Sequence, residues 1–134
     1  MSACLAQVTF LVRDYDEAID FFVGKLGFSL VEDSHLSATK RWVVVRPAGS
    51  AAPALLLARA VGERQMAAIG NQCGDRVGFF LHTDNFDRSH AAMTERGVRF
   101  LESPRTEAYG KVAVFADLYG NRWDLIEPHA ASTP

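Results

Sequence analysis

The sequence predicts an α+β domain made of two βαβββ units in tandem. Its 134 residues suit one domain and not two independent ones. The segment that begins at Gln7 aligns without a gap with the segment that begins at Gly78, which indicates a duplicated half-domain. In both copies an apolar stretch runs into a helical pattern that ends at a glycine, Gly27 or Gly97. The expected boundaries are 5–62 for the first half, 76–128 for the second, 1–128 for the single domain and 129–134 for a disordered tail.

Each half opens with a strand followed by a helix. Val, Phe, Leu and Thr dominate residues 6–12 and 77–83, which favours strands. Asp14 and Asn85 follow, and their short side chains can accept a hydrogen bond from a free N–H at a helix start. Glu17 lies three residues after Asp14, as in a capping box. The first helix is predicted from apolar residues at helical spacing, namely Tyr15, Ala18, Ile19, Phe22 and Leu26.

The rest of each half reads as strands joined by turns. Pro and Gly mark a turn over 47–53, and a second turn is expected over 118–121. Residues 103–110 are predicted to be a loop between two strands. A short helix over 63–70 and a polar link over 70–75 are expected to connect the halves. The predicted strands are 28–33, 40–46 and 54–59 in the first half, and 98–102, 111–117 and 122–127 in the second.

Composition excludes several classes of partner. Lys and Arg number 14 against 16 Asp and Glu, so the net charge of −2 offers no basic surface for nucleic acid. No stretch is long and apolar enough to span a membrane, and the first residues lack the pattern of a secretory signal. Cys4 and Cys73 form no Cys-x-x-Cys pair, so the cysteines indicate neither a zinc site nor a redox motif. A cytoplasmic protein with no membrane partner is therefore expected.

Three motifs resemble the vicinal-oxygen-chelate superfamily, which contains glyoxalase I, the bleomycin-resistance proteins and the extradiol dioxygenases. They are Val8-Thr-Phe-Leu-Val-Arg-Asp-Tyr-Asp-Glu-Ala-Ile-Asp-Phe-Phe, then Leu26-Gly-Phe, and finally Asp117-Leu-Tyr-Gly-Asn-Arg-Trp-Asp-Leu-Ile-Glu. The similarity covers about residues 5–128. It implies a curved mixed sheet forming a half-open barrel, with helices on its outer face and a small-molecule pocket in the cup. A homodimer is expected, because an open half-barrel leaves apolar edges to cover.

The resemblance also implies where a divalent metal would bind. Ligands would come from the starts of the two repeat-opening strands, from the strand that closes the first half and from the last strand. Gln7 is a poor but possible ligand, Gly78 has no side chain, and the closing strand offers only alanine or leucine. Asp124 occupies the last position. We therefore treat Gln7, Gly78 and Asp124 as vestigial metal positions, and expect no cofactor.

Alternation along the strands points to other residues of the cup. Gln7 and Thr9 lie on one face of the first strand, and Phe80 and His82 lie on the equivalent face of the second-half strand. His82 is the candidate catalytic acid or base, because its ordinary pKa lies near neutrality. Asp124 could orient His82 or bind a cationic ligand, or it could simply complete a polar patch at the barrel mouth.

Other side chains near the expected cup also have candidate roles. Arg105 could hold a carboxylate or phosphate of a ligand, or pair internally with Glu102 or Glu107. Tyr109 could stack on a ligand ring. Phe80 and Phe115 could form an apolar wall, whereas Trp123 should point to the helix side. Of the neighbours Arg41 and Trp42, only one is expected to enter the cup.

These residues leave three functions open. The first is a metal-free small-molecule-binding protein of the bleomycin-resistance type, which sequesters or processes an aromatic or amphipathic ligand. The alternative is a lyase, isomerase or dioxygenase that uses Ni, Zn, Mn or Fe. The third is a metal-free enzyme that relies on His82 or Asp124.

Overall fold

The structure, a computed structural model, describes residues 2–51 and 53–129. The chain divides into two compact units, Met1–Gln72 (unit 1) and Cys73–Pro134 (unit 2). This division falls inside the predicted polar link over 70–75. Most of the predicted tail, residues 130–134, lies outside the described residues.

Unit 1 contains four strands, namely β1 (Gln7–Val12), β2 (Phe28–His35), β3 (Arg41–Pro47) and β4 (Ala54–Arg59). They form one sheet in the order β1-β4-β3-β2. β1 is parallel to β4, and the other neighbours are antiparallel. One face packs on the helix that follows β1 and buries Phe10, Val12, Val43, Val45 and Leu57.

The first helix differs from the prediction in its second half. α1 (Tyr15–Ile19) is capped by Asp14, whose Oδ2 accepts from the Glu17 N–H at 2.9 Å, as predicted. The chain then continues as a π-helical segment, Asp20–Lys25, in which the Leu26 N–H donates to the Phe21 carbonyl at 3.1 Å. In an α-helix, the side chains of adjacent residues point about 100° apart around the helix axis, so two neighbours do not usually share the buried face. The wider turn allows both Phe21 and Phe22 to be buried, and their rings meet edge to face at 5.4 Å.

The edge of the unit 1 sheet is covered from within the unit. α2 (Gly62–Ala68) follows β4, and the chain then brings Gln72 alongside β1. The Gln72 side chain accepts from the Leu11 N–H at 2.8 Å and donates to the Thr9 carbonyl. This amide therefore satisfies backbone groups of an edge strand that would otherwise be open to pairing.

Unit 2 repeats the plan with one additional strand. Its elements are β5 (Val77–His82), α3 (Phe86–Glu95), β6 (Arg99–Phe100), β7 (Arg105–Glu107), β8 (Gly110–Ala116) and β9 (Arg122–Pro128). β5 is parallel to β9 in a sheet ordered β5-β9-β8-β6, and β7 pairs with β8. The loop predicted over 103–110 is therefore wrong in part. Ala108 and Tyr109 join β7 to β8, and these residues lack the Gly or Asn signal of a two-residue hairpin.

The core of unit 2 lies between its sheet and α3. Trp123 points to this side, as predicted, and stacks on Phe79 at 4.7 Å and on Phe115 at 5.7 Å. Phe100 links the stack to His90 of α3 at 4.1 Å. Phe115 is completely buried here, so the prediction that it lines the cup is wrong. Its position on β8 gives it the same face as Phe100 and Trp123, which are its partners across the sheet.

Asp117 organises the turn between β8 and β9. Its carboxylate accepts from the N–H groups of Tyr119 at 2.9 Å and Asn121 at 3.1 Å, and from the Trp123 indole N–H at 2.9 Å. Burial raises the pKa of Asp117, and these hydrogen bonds offset part of that rise. The closing motif that begins at Asp117 is thus a structural turn.

The α+β class and the duplicated plan are confirmed. Each unit has its own mixed sheet, and neither sheet is closed. Across residues 2–51 and 53–129, no helix combines the length and apolar character needed to cross a membrane.

Candidate functional site

The face of the unit 2 sheet opposite α3 carries the residues that the sequence singled out. We call it the open face and define it by Phe80, His82, Val112, Val114, Asp124 and Ile126. Asp124 lies between Phe80 of β5 and Val114 of β8. His82 lies one row further along, opposite Ile126.

Asp124 is the unusual group on this face. Only 6% of the residue is exposed, and Oδ1 has no hydrogen-bond partner in the part of the chain that the structure describes. Burial raises its pKa; Arg105 opposes this rise and Glu102 adds to it. A buried acceptor without a partner costs about 1–3 kcal/mol. Such a group calls for a ligand, water or ion that donates to it.

An aromatic ring lies beside this acceptor. Phe80 is directly opposite Asp124 in the parallel β5–β9 pair, so both side chains project from the same face. The Phe80 residue is 60% exposed. A large exposed ring beside a buried carboxylate can contact the apolar part of a molecule whose polar part meets Asp124.

Arg105 is held by its own unit. Its guanidinium donates from Nε to Glu102 at 3.1 Å and also pairs with Glu107, so the internal pairing that the sequence allowed is confirmed. It also donates to the Tyr109 hydroxyl at 3.4 Å, and Tyr109 is half exposed. Hydrogen bonds to Tyr109 and the two glutamates raise the pKa of Arg105. Glu102 in turn accepts from the Val114 N–H at 2.9 Å, which fixes this network to β8.

His82 is separate from Asp124. The suggestion that Asp124 orients it is wrong, because Asp124 is opposite Phe80 and makes no hydrogen bond to His82 within the described residues. His82 instead lines a shallow depression of about 540 Å³ together with Asp84, Glu127 and His129.

The residues at the family metal positions do not fit a metal centre. Gly78 has no side chain to donate, and a Cβ added there would collide with the Sγ of Cys73, so a larger residue would require the Cys73 side chain to move. Gln7 of unit 1 is opposite Ala54, and Thr9 is opposite Leu56. No three His, Cys, Asp or Glu side chains within 2–51 and 53–129 converge as a metal site would require.

A cavity in unit 1 was missed by the sequence interpretation. It has a volume of about 640 Å³ and lies where β3 begins and β4 ends. Arg41 and Trp42 both line it, whereas the expectation that only one of them enters the cup stays a prediction. Alternation separates neighbours across a continuous sheet, but a cavity at the end of the strands can be reached from both faces.

Comparisons with known proteins agree with this architecture. The family model described as "Glyoxalase/Bleomycin resistance protein/Dioxygenase superfamily" matches residues 5–125. An uncharacterized protein of Shewanella frigidimarina (strain NCIMB 400) is 50% identical over 128 residues, which are 95% of each chain. The crystal structure of UcmS2 has a TM-score of 0.82 at 28% identity, covering 95% of this chain and 99% of that one. TnmS3, an antibiotic binding protein from Streptomyces sp. CB03234, has a TM-score of 0.76 at 29% identity, covering 96% and 99%.

Proposed function

Because the chain belongs to the Glyoxalase/Bleomycin resistance protein/Dioxygenase superfamily, we propose that it binds a small organic molecule without a metal ion. The site is the open face of unit 2, and the ligand is aromatic or amphipathic. The observation that carries this proposal is the buried Asp124 Oδ1, which has no partner within the described residues and lies beside the exposed Phe80 ring.

The two side chains define the chemistry of the ligand. Asp124 accepts a hydrogen bond from an amine or hydroxyl, which relieves the cost of a buried acceptor without a partner. Phe80 packs against a ring or an aliphatic surface. Arg105 forms ion pairs with Glu102 and Glu107, so its role is structural and it does not bind a ligand carboxylate. Among the structural relatives, TnmS3 is an antibiotic binding protein, which makes antibiotics the first compounds to test.

The metal-dependent alternative has less support. A lyase, isomerase or dioxygenase that uses Ni, Zn, Mn or Fe needs several converging donors with a position open for substrate. Gly78 contributes no donor, and the Cys73 side chain occupies the space beside it.

Asp124 also favours a second function. A buried carboxyl with a raised pKa is suited to exchange a proton with a bound molecule, so the site could support a metal-free acid–base reaction. A role for His82 in the same reaction has less support, because His82 and Asp124 make no hydrogen bond. The two functions differ in whether a bound compound is released unchanged.

The test begins with a thermal-shift screen of antibiotics and aromatic amines in the presence and absence of EDTA. A ligand at 100 times its Kd raises stability by about 2.7 kcal/mol. Calorimetry on each hit should give a Kd that EDTA does not change. Asp124→Asn should weaken binding at least about tenfold, since hydrogen bonds to charged groups contribute about 1.5–3 kcal/mol.

The control is Asp87→Asn, which removes an exposed carboxylate from the same unit without touching the open face. Equal losses in both variants would contradict the proposal, as would a ligand whose binding requires stoichiometric metal. Mass spectrometry of the recovered ligand separates the two functions, because turnover changes the compound and sequestration does not. A homodimer and a cytoplasmic location stay predictions.

A further inference from the structure

The unit 1 cavity differs in chemistry from the open face of unit 2. Its volume of about 640 Å³ is within the range of small-molecule sites. Its apolar walls come from Tyr15, Trp42, Leu56 and Val61. All its lining residues belong to unit 1, so an inference about it does not rest on Asp124 or on the proposed function.

The ring of Trp42 provides one wall. Trp42 precedes the buried residues of β3, is half-buried itself, and lines the cavity together with Ala58 of β4. An indole combines a large apolar face with a single N–H donor, which suits contact with another flat ring.

The charge of the lining is entirely positive. Lys40, Arg41 and Arg59 line the cavity, and no Asp or Glu does. Asp33 and Asp16 neutralise Arg41, with Nη2 2.6 Å from Asp33 and Nη1 2.9 Å from Asp16. By contrast, Lys40 and Arg59 have no ion-pair partner in the described part of the chain. Lys40 and Arg59 are both exposed residues, so a bound anion could pair with either of them at this cavity.

The backbone around Lys40 is held in place. Its carbonyl accepts from the N–H groups of Leu36 at 2.8 Å and Ser37 at 3.1 Å, and its own N–H donates to the Ser37 Oγ at 3.1 Å. Next along the chain, the Arg41 N–H donates to the Tyr15 hydroxyl at 3.2 Å. These bonds fix the backbone of the turn between β2 and β3. The Lys40 side chain therefore extends from a backbone that is already ordered at the cavity wall, which lowers the cost of binding.

We propose that this cavity binds an aromatic carboxylate. The ring packs against Trp42 and the apolar wall, and the carboxylate is held by Lys40 and Arg59. Arg41 keeps its bonds to Asp33 and Asp16 and positions the start of β3.

The experiment compares phenylacetate with phenylacetamide, which have the same ring but differ in charge. Tryptophan fluorescence reports on binding, because Trp42 lines the cavity whereas Trp123 is only 4% exposed in the unit 2 core. Calorimetry provides a second readout. Phenylacetate should bind about tenfold or more tightly than the amide, and salt should weaken its binding. Acetate and inorganic phosphate test whether the anion alone is sufficient.

Three variants locate the binding. Arg59→Gln and Lys40→Gln should each weaken phenylacetate binding about tenfold, whereas Arg64→Gln, an exposed residue of α2 outside the lining, should not. Asp124→Asn should leave phenylacetate binding unchanged, so failure here is distinct from failure of the open-face proposal. Equal affinity for acid and amide, no binding of either, equal losses in all three cation variants, or acetate binding as tightly as phenylacetate would each overturn the inference.

Discussion

Replacing Asp124 by Asn should stabilise the protein at neutral pH. The amide keeps the shape of the side chain and removes a negative charge from a site where Oδ1 has no partner among the described residues. An unpartnered buried acceptor costs about 1–3 kcal/mol and a charged one costs more, so the gain comes from losing the charge. The amide oxygen of Asn still lacks a partner, and the lost attraction to Arg105 offsets part of the gain. We therefore expect a gain of about 1–2 kcal/mol at pH 7. With urea m-values of about 1–3 kcal/mol/M, this moves the unfolding midpoint up by roughly 1 M.

The gain should depend on pH in a defined direction. Because burial raises the folded-state pKa of Asp124, the folded protein binds more protons than the unfolded chain between the two pKa values. Wild-type stability therefore falls relative to the variant as pH rises through that window, and the two converge below it. Urea unfolding across the pH range measures this difference. A gain that is the same at acidic and neutral pH, or a neutral-pH loss, would refute the reasoning. The exposed Asp84→Asn serves as the control.

Three further predictions concern the fold and assembly. Asp117→Ala removes the acceptor of the Tyr119, Asn121 and Trp123 hydrogen bonds and should cost roughly 3 kcal/mol by urea unfolding; a loss below about 1 kcal/mol would argue against its structural role. Phe115→Ala should lower the free energy of unfolding by about 3–5 kcal/mol and leave ligand affinity intact. A folded variant that loses ligand affinity would show that Phe115 contacts the ligand. Light scattering at micromolar concentration should give the mass of a homodimer, and a monomer would contradict that prediction.

Much of the fold could be predicted because the signals are local and occur twice. Alternation and β-branched residues mark β1 and β5, and Asp14 and Asn85 cap helices as expected. The π-helical segment was missed because the apolar residues from Tyr15 to Leu26 already fit α-helical spacing, and the burial of Phe21 beside Phe22 depends on packing in the folded unit. β7 was missed because its pairing with β8 depends on partners across the sheet, which residues 103–110 do not reveal by themselves.

The candidate site was less predictable because burial and pairing decide it. Position in the sequence pointed to Asp124, but its missing partner depends on Arg105 being held elsewhere. The unit 1 cavity depends on where strand ends and α2 come together. A sequence shows that Lys40 and Arg59 are cations, and only the fold shows that they line the same cavity without acidic partners.

The glutamates around Arg105 explain why Asp124 is left available for a ligand. Glu102 and Glu107 occupy the guanidinium, and Glu102 also raises the pKa of Asp124 through its charge. Glu102→Gln removes that charge and frees part of Arg105, so both effects should lower the Asp124 pKa. Carboxyl-carbon NMR titration of the wild type and the variant measures the change directly. An unchanged or higher pKa would mean that the Arg105 network does not control this carboxyl, and that burial alone sets its chemistry.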